Sequence, residues 1–194
     1  MELSHRSAEF QSVIEVAETR LRRLLAISED YAVLFLQGGA SQQFAAIPQN
    51  LGSQSRAADY VVTGQWSKKA LAEGGRFVNT SVAASSANDN FSSVPAFDSW
   101  VLNPDAAFLH YCPNETIGGL EFPWIPEATA PLVADMSSTL LSRPLDVNRF
   151  GVIYAGAQKN IGPAGLALVI VRKELLGAAS ESCPATLNWT VAES

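Results

Sequence analysis

Tyr31-Ala-Val-Leu-Phe-Leu36, closed by Gly38-Gly39-Ala40-Ser41, is the stretch whose reading decides the fold. An unbroken apolar run of this length, bounded by glycine, suits a strand covered on both faces, as parallel sheets require. Working outward, similar runs recur at 58–63, 106–112, 131–136, 151–155 and 166–172. Helix-compatible stretches lie between some of them, at 42–51 and 67–73. Strand, helix and strand in alternation predict an α/β fold: a mainly parallel sheet with helices on both faces, in three layers.

Upstream, residues 7–26 set Phe10, Val13, Ile14, Ala17, Leu21, Leu24 and Leu25 at helical spacing. Charged residues fill the other side, so this segment predicts a surface helix with one apolar stripe. The polar, small-residue stretch 83–94 reads as a loop within the domain rather than a boundary between domains. At the far end, Leu187 and Trp189 are expected to pack on something that is absent, or else belong to a frayed polar tail.

Composition narrows the function. With 47% hydrophobic and 16% charged residues, the chain belongs with globular domains rather than disordered ones. A net charge of -6 argues against general nucleic-acid binding, which selects for basic patches, while leaving room for a small anion held by local arginines. No apolar window reaches membrane-spanning length, and the first residues lack a signal peptide's basic start, so the cytoplasm is the expected compartment. Cys112 and Cys183 lack neighbours at metal-ligand spacing and are expected to be buried apolar thiols; no metal is expected.

Candidate chemistry gathers where apolar runs end. Lys159, in Tyr154-Ala-Gly-Ala-Gln-Lys159-Asn-Ile-Gly-Pro163, has small neighbours that leave space for a planar adduct. Partial burial there would favour the neutral amine that attacks an aldehyde; equally, it is a solvated turn lysine. Asp135, at the end of 131–136, stands where open α/β sheets hold ligands, or caps a turn. Gly38-Gly39-Ala40-Ser41 offers free N–H groups to a phosphate at a helix N-terminus, or is only a tight turn. Thr116, in His110-Tyr-Cys-Pro-Asn-Glu-Thr116, donates to a ligand oxygen or caps its loop. Trp66 stacks on a ring or fills the core. His5 and Arg6 are adjacent cations that suit an anionic substrate, or a solvated terminus.

Taken in order, five blocks resemble the phosphoserine aminotransferase family. They are Ser-His-Arg-x-x-Glu-Phe from Ser4, Gly-Gly-Ala-Ser-x-Gln-Phe-Ala-Ala-x-Pro from Gly38, His-Tyr-Cys-Pro-Asn-Glu-Thr-Ile from His110, Ser-Ser-x-x-Leu-Ser-Arg-Pro from Ser137 and Gly-Ala-Gln-Lys-Asn-Ile-Gly-Pro-Ala-Gly from Gly156. The likeness runs from about Glu2 to Cys183, and the last two blocks are the most specific. The Cys-Pro-Asn-Glu-Thr and Gly-Ala-Gln-Lys-Asn wording argues against the cysteine desulfurases and serine–glyoxylate aminotransferases of the same superfamily.

The resemblance implies a fold-type-I, class V aminotransferase, dependent on pyridoxal 5'-phosphate and acting as a homodimer. It implies that Lys159 holds the cofactor covalently and moves a proton during transfer. By the same likeness Asp135 pairs with the pyridine nitrogen, Trp66 stacks on the ring and Thr116 bonds the phenolic oxygen side. Gln158, with the backbone at Ala40 and Ser41, would hold the cofactor phosphate. His5 and Arg6 would grip the phosphate of phosphoserine or the distal carboxylate of glutamate. The implied reaction passes an amino group between glutamate and 3-phosphohydroxypyruvate, releasing 2-oxoglutarate, in serine synthesis; a phosphorylated hydroxythreonine of pyridoxine synthesis is a second implied substrate. Some members carry arginine where Ser41 stands. Family chains also extend further at both ends, so residues 1–194 are expected to be a large, cofactor-binding domain without its N-terminal segment and small domain. On that ground a folded fragment that binds the cofactor without turnover is the alternative expectation.

Overall fold

The computed structural model describes residues 3–4, 6–53 and 55–193. Helix α1, Ala8–Leu25, starts at Ser7, whose side chain accepts the Phe10 N–H at 3.2 Å, and ends at Ala26 in the left-handed region (φ 51°). Leu21 and Leu25 are buried, while Val13 is 56% and Leu24 65% exposed. The predicted stripe is therefore narrower than the sequence suggested. At about 100° per residue, Val13 and Leu24 both fall to one side of the Phe10–Ile14–Leu21–Leu25 line that faces the protein.

Strand β1 (Tyr31–Gln37) leads into α2 (Ala40–Leu51), β2 (Ala57–Val62), α3 (Gln65–Gly74) and β3 (Asn79–Ser85). After a long irregular stretch come β4 (Leu109–Tyr111), a small hairpin of β5 (Asn114–Glu115) and β6 (Leu120–Glu121), then β7 (Leu132–Asp135) and β8 (Val152–Gly156). The antiparallel β9 (Leu166–Arg172) and short α4 (Trp189–Glu193) complete the described chain. The main sheet has the order β1-β9-β8-β7-β4-β2-β3. Its β3, β2, β4, β7 and β8 pairings are parallel, and β9 alone runs against both its neighbours.

Successive residues of the central strands feed opposite layers, as a period of two demands. Val152 and Tyr154 enter the layer beneath α2 and α3, with Phe44, Ile47, Ala70 and Trp189. Ile153 and Ala155 enter the other layer, with Leu21 and Leu25 of α1, Trp100, Phe122 and Phe150. The expected three layers and mainly parallel sheet are thus present. Each central strand is buried on both faces, which is why its sequence reads as an apolar run without alternation.

Three expectations change. Residues 79–85, the last three of which fall in the stretch read as a loop, form the edge strand β3; its exposed Val82 and its serines show why an apolar run is missing. Trp189 is 1% exposed, not frayed: its N–H bonds Asn50 Oδ1 at 3.0 Å and its Nε1 donates to Gln43 Oε1 at 3.3 Å. Both partners lie on α2, a surface the sequence did not disclose. Cys112 is buried as expected, whereas Cys183 is only partly so. Among the described residues, no helix is long and apolar enough to cross a membrane.

Candidate active site

Because the parallel strands share one direction, the loops leaving β2, β4, β7 and β8 emerge along one edge of the sheet. Trp66, Thr116, Asp135 and Lys159 all follow those strand ends, and α2 begins beside them after β1. This is the edge at which open α/β sheets place ligands.

Lys159 Nζ donates to Thr116 Oγ1 at 2.7 Å and stands 4.9 Å from the centre of the Trp66 ring. Trp66 Nε1 donates to the same Thr116 oxygen at 3.3 Å, and Lys69 Nζ lies 4.7 Å from the Trp66 ring centre. The structure thus joins three of the predicted residues around one hydroxyl. Lys159 is exposed rather than partly buried.

Trp66 is aimed from behind by a side chain the sequence reading passed over. Glu115 is fully buried and accepts the Trp66 N–H at 2.9 Å, the Ser67 N–H at 2.8 Å and the Ser67 hydroxyl at 2.6 Å. A carboxylate here compensates the free N–H groups and positive end of α3. Gly64 permits the approach: a Cβ on it would meet Glu115 Cδ at 2.5 Å. A buried glutamate at a helix start has no periodic signature, so a single sequence gives little sign of it.

Asp135 is 7% exposed. Its Oδ1 accepts the Ser137 N–H at 3.0 Å and the Ser137 hydroxyl at 2.6 Å, while Ser137 Oγ in turn accepts the Gly156 N–H at 3.0 Å. The turn-aspartate and ligand readings are therefore compatible, since the Ser137 bonds of the turn both fall on Oδ1. Burial pushes the Asp135 carboxyl above the usual range; the Ser137 hydrogen bonds and the Lys159 charge oppose it, and Glu115 adds to it. Ser137 also went unassigned, although the Asp-x-Ser spacing is the signal by which such a turn can be found.

The N-terminus of α2 has Gly39 at its cap and no side-chain hydrogen bond there, so its first N–H groups are available. A Cβ built on Gly156 would meet Gln158 Oε1 at 2.8 Å and Ala40 N at 3.2 Å. Gln158 and the Ala40 backbone therefore share one small space, beside the exposed Ser41. A site with a lysine, an indole face, a buried carboxylate and an uncapped helix start fits a planar, nitrogen-containing ring that bears a phosphate. Arg6 joins none of these contacts: it lies exposed before α1, with its backbone N–H on Ser4 Oγ at 3.3 Å. His5 lies outside the described residues.

A model of the aminotransferase class-V family matches residues 1–187. The chain is 58% identical over 193 residues to a phosphoserine aminotransferase of Pseudomonas aeruginosa, covering 99% of this chain and 54% of that one. It overlays a phosphoserine aminotransferase structure from Bacillus circulans subsp. alkalophilus with a TM-score of 0.93 at 46% identity, covering 98% of this chain and 53% of that one. A phosphoserine aminotransferase from Trichomonas vaginalis with its PLP bound overlays with a TM-score of 0.91 at 43% identity, over 98% and 54% of the two chains. The chain spans about half the length of the curated relatives it matches. These overlays establish the fold as that of the fold-type-I transferases.

Proposed function

This chain belongs to the aminotransferase class-V family, and on that footing we propose that it is the cofactor-binding large domain of a pyridoxal-phosphate-dependent phosphoserine aminotransferase. The observation that carries the reading is the meeting of Lys159, Thr116 and Trp66 at one strand edge that also carries the buried Asp135.

The proposed roles are those the family likeness implies, and the placement of the group supports them. Lys159 would supply the amine that holds the cofactor and the base that moves the substrate's Cα proton. Thr116 would offer its hydroxyl to the cofactor's phenolic oxygen. Trp66 presents its indole face to the ring, at an angle fixed by the Glu115 bonds at the start of α3. The Asp135 carboxylate would hold the pyridine nitrogen, and a cation there would offset the burial that penalises its charge. Gln158 and the first N–H groups of α2, at Ala40 and Ser41, hold the phosphate. When bound, pyridoxal phosphate supplies the electron sink that the twenty side chains lack.

The proposed substrates are phosphoserine, glutamate and 2-oxoglutarate, with a phosphorylated hydroxythreonine as a second amino donor. Arg6 with His5 is proposed to take the substrate's distal anion. A homodimer in the cytoplasm is the proposed working form. Titration with pyridoxal phosphate should give a yellow species, and borohydride should fix the added mass on the peptide containing Lys159. Protein that stays colourless at saturating cofactor, or a label on any other lysine, would overturn the reading.

A further inference from the structure

His110 and Tyr154 lie under Asp135, and none of the roles above uses them. Tyr154 is the register partner of Asp135 on the neighbouring strand, and His110 is that of Val133, two residues earlier on β7. All three side chains therefore leave the sheet on one face. Tyr154 reaches beneath β7 so that its hydroxyl meets His110 Nε2 at 2.8 Å. Both residues are buried, and His110 Nδ1 has no partner among the described residues. The ring of Tyr60, on β2, closes the far side at 5.2 Å between centroids.

Hydrogen-bond accounting selects one arrangement. Burial holds His110 neutral, its basicity pushed down to about 3, so one ring nitrogen carries a hydrogen and the other does not. If the hydrogen were on Nδ1, a buried N–H would have no acceptor, which native interiors rarely tolerate. With the hydrogen on Nε2, only a bare lone pair is left over. The Tyr154 oxygen is then the acceptor, and its own hydrogen needs a new partner. Asp135 is that partner: beyond burial, its charge and its hydrogen bonding are among the causes that hold the Tyr154 hydroxyl protonated.

We infer that His110 and Tyr154 form a buried relay that positions Asp135: His110 Nε2–H donates to the Tyr154 oxygen, and the Tyr154 hydroxyl donates to the Asp135 carboxylate. Asp135 is then held from two sides, by Ser137 along the chain and by Tyr154 from the adjacent strand. The other groups acting on Asp135 are Lys159, of opposite charge, and Glu115, of like charge. The relay's bearing on the cofactor rests on the role proposed for Asp135, while the relay itself belongs to the cofactor-free protein.

The relay is read there by nitrogen and carboxyl-carbon NMR, helped by there being only two histidines. The unsubstituted protein should show His110 as the Nε2–H tautomer. Tyr154→Phe should raise the Asp135 titration midpoint by about one pH unit, because a donor to the ionised form is lost. His110→Gln, whose amide can place an N–H near Nε2, should leave that midpoint close to the parent's, whereas His110→Leu should raise it. An Nδ1–H tautomer overturns the relay without any substitution. So does a midpoint that Tyr154→Phe leaves unmoved, or equal shifts in the Gln and Leu variants. If Asp135 proves not to serve the cofactor nitrogen, every one of these readings still stands, so the two ideas fail separately.

Discussion

Asp135 and Lys159 follow neighbouring strands, β7 and β8, yet the protein holds them in opposite ways. Asp135 is buried and locked by Ser137, which is itself bonded to the β8 backbone at Gly156. Lys159 is exposed and held by one hydroxyl and one indole face. The contrast matches the proposed chemistry: a group that only stabilises charge benefits from a fixed position, while a group that must attach, detach and carry a proton needs slack. The densely bonded carboxylate lies beneath the reacting atoms, and the sparsely held group is a single long, exposed side chain.

The largest effect that would test the contrast is chemical. Lys159→Ala should abolish the borohydride-fixed label while leaving thermal stability within about 0.5 kcal/mol, since an exposed side chain contributes little. Glu115→Ala strikes the rigid side instead. It strands two backbone N–H groups and the Ser67 hydroxyl in a dry place, so chemical denaturation should show a loss of about 3 kcal/mol or more. Weaker cofactor binding should accompany it, because the start of α3 carries Trp66.

Asp135→Asn should do the reverse to stability. The folded carboxyl binds its proton more tightly than the unfolded one. The native state therefore loses stability as pH rises from the ordinary aspartate range through the raised value. The asparagine variant has no such loss, so the cofactor-free variant should be more stable than the parent at neutral pH, with the gap closing on acidification. Unfolding curves at pH 7 and pH 4 that show equal differences would contradict it. The smallest effect belongs to Thr116→Ala, which removes the bond nearest the mobile group: under about 1 kcal/mol in stability, with cofactor affinity reduced severalfold by absorbance titration.

What the sequence disclosed tracks what is local. Residues 166–172 carry β9 over the same bounds that the apolar run predicted, because a doubly covered strand must be apolar throughout. Lys159, Asp135, Thr116 and Trp66 were visible as chemistry at strand ends, and the family likeness ordered them. Long-range partners were not visible. Trp189 on α2 and Glu115 under α3 are joined by contacts across 139 and 48 residues, which no local pattern encodes. The edge strand β3 escaped notice because exposure lets it carry serine and threonine where a central strand cannot. His110 and Tyr154 sat in quoted motifs, yet their pairing exists only once β4 and β8 flank β7.

The reversal of β9 has one more consequence, and it concerns counting. In an ordinary crossover the loop after a strand runs into a helix and can gain or lose residues there. Lys159 instead lies in the connection of a hairpin, between β8 and a strand that pairs with it residue for residue. The Ala157 N–H closes on Leu166 O, and Gly38 N–H binds Gly165 O from the next turn along the edge. The length of segment 157–165 is therefore fixed by the sheet at both ends. One residue more or fewer would have to be absorbed within 157–165 itself, because a one-step slip of β9 against β8 and β1 would turn each of its side chains into the wrong layer. The lysine's address is thus written in the spacing of its hairpin as firmly as in its identity.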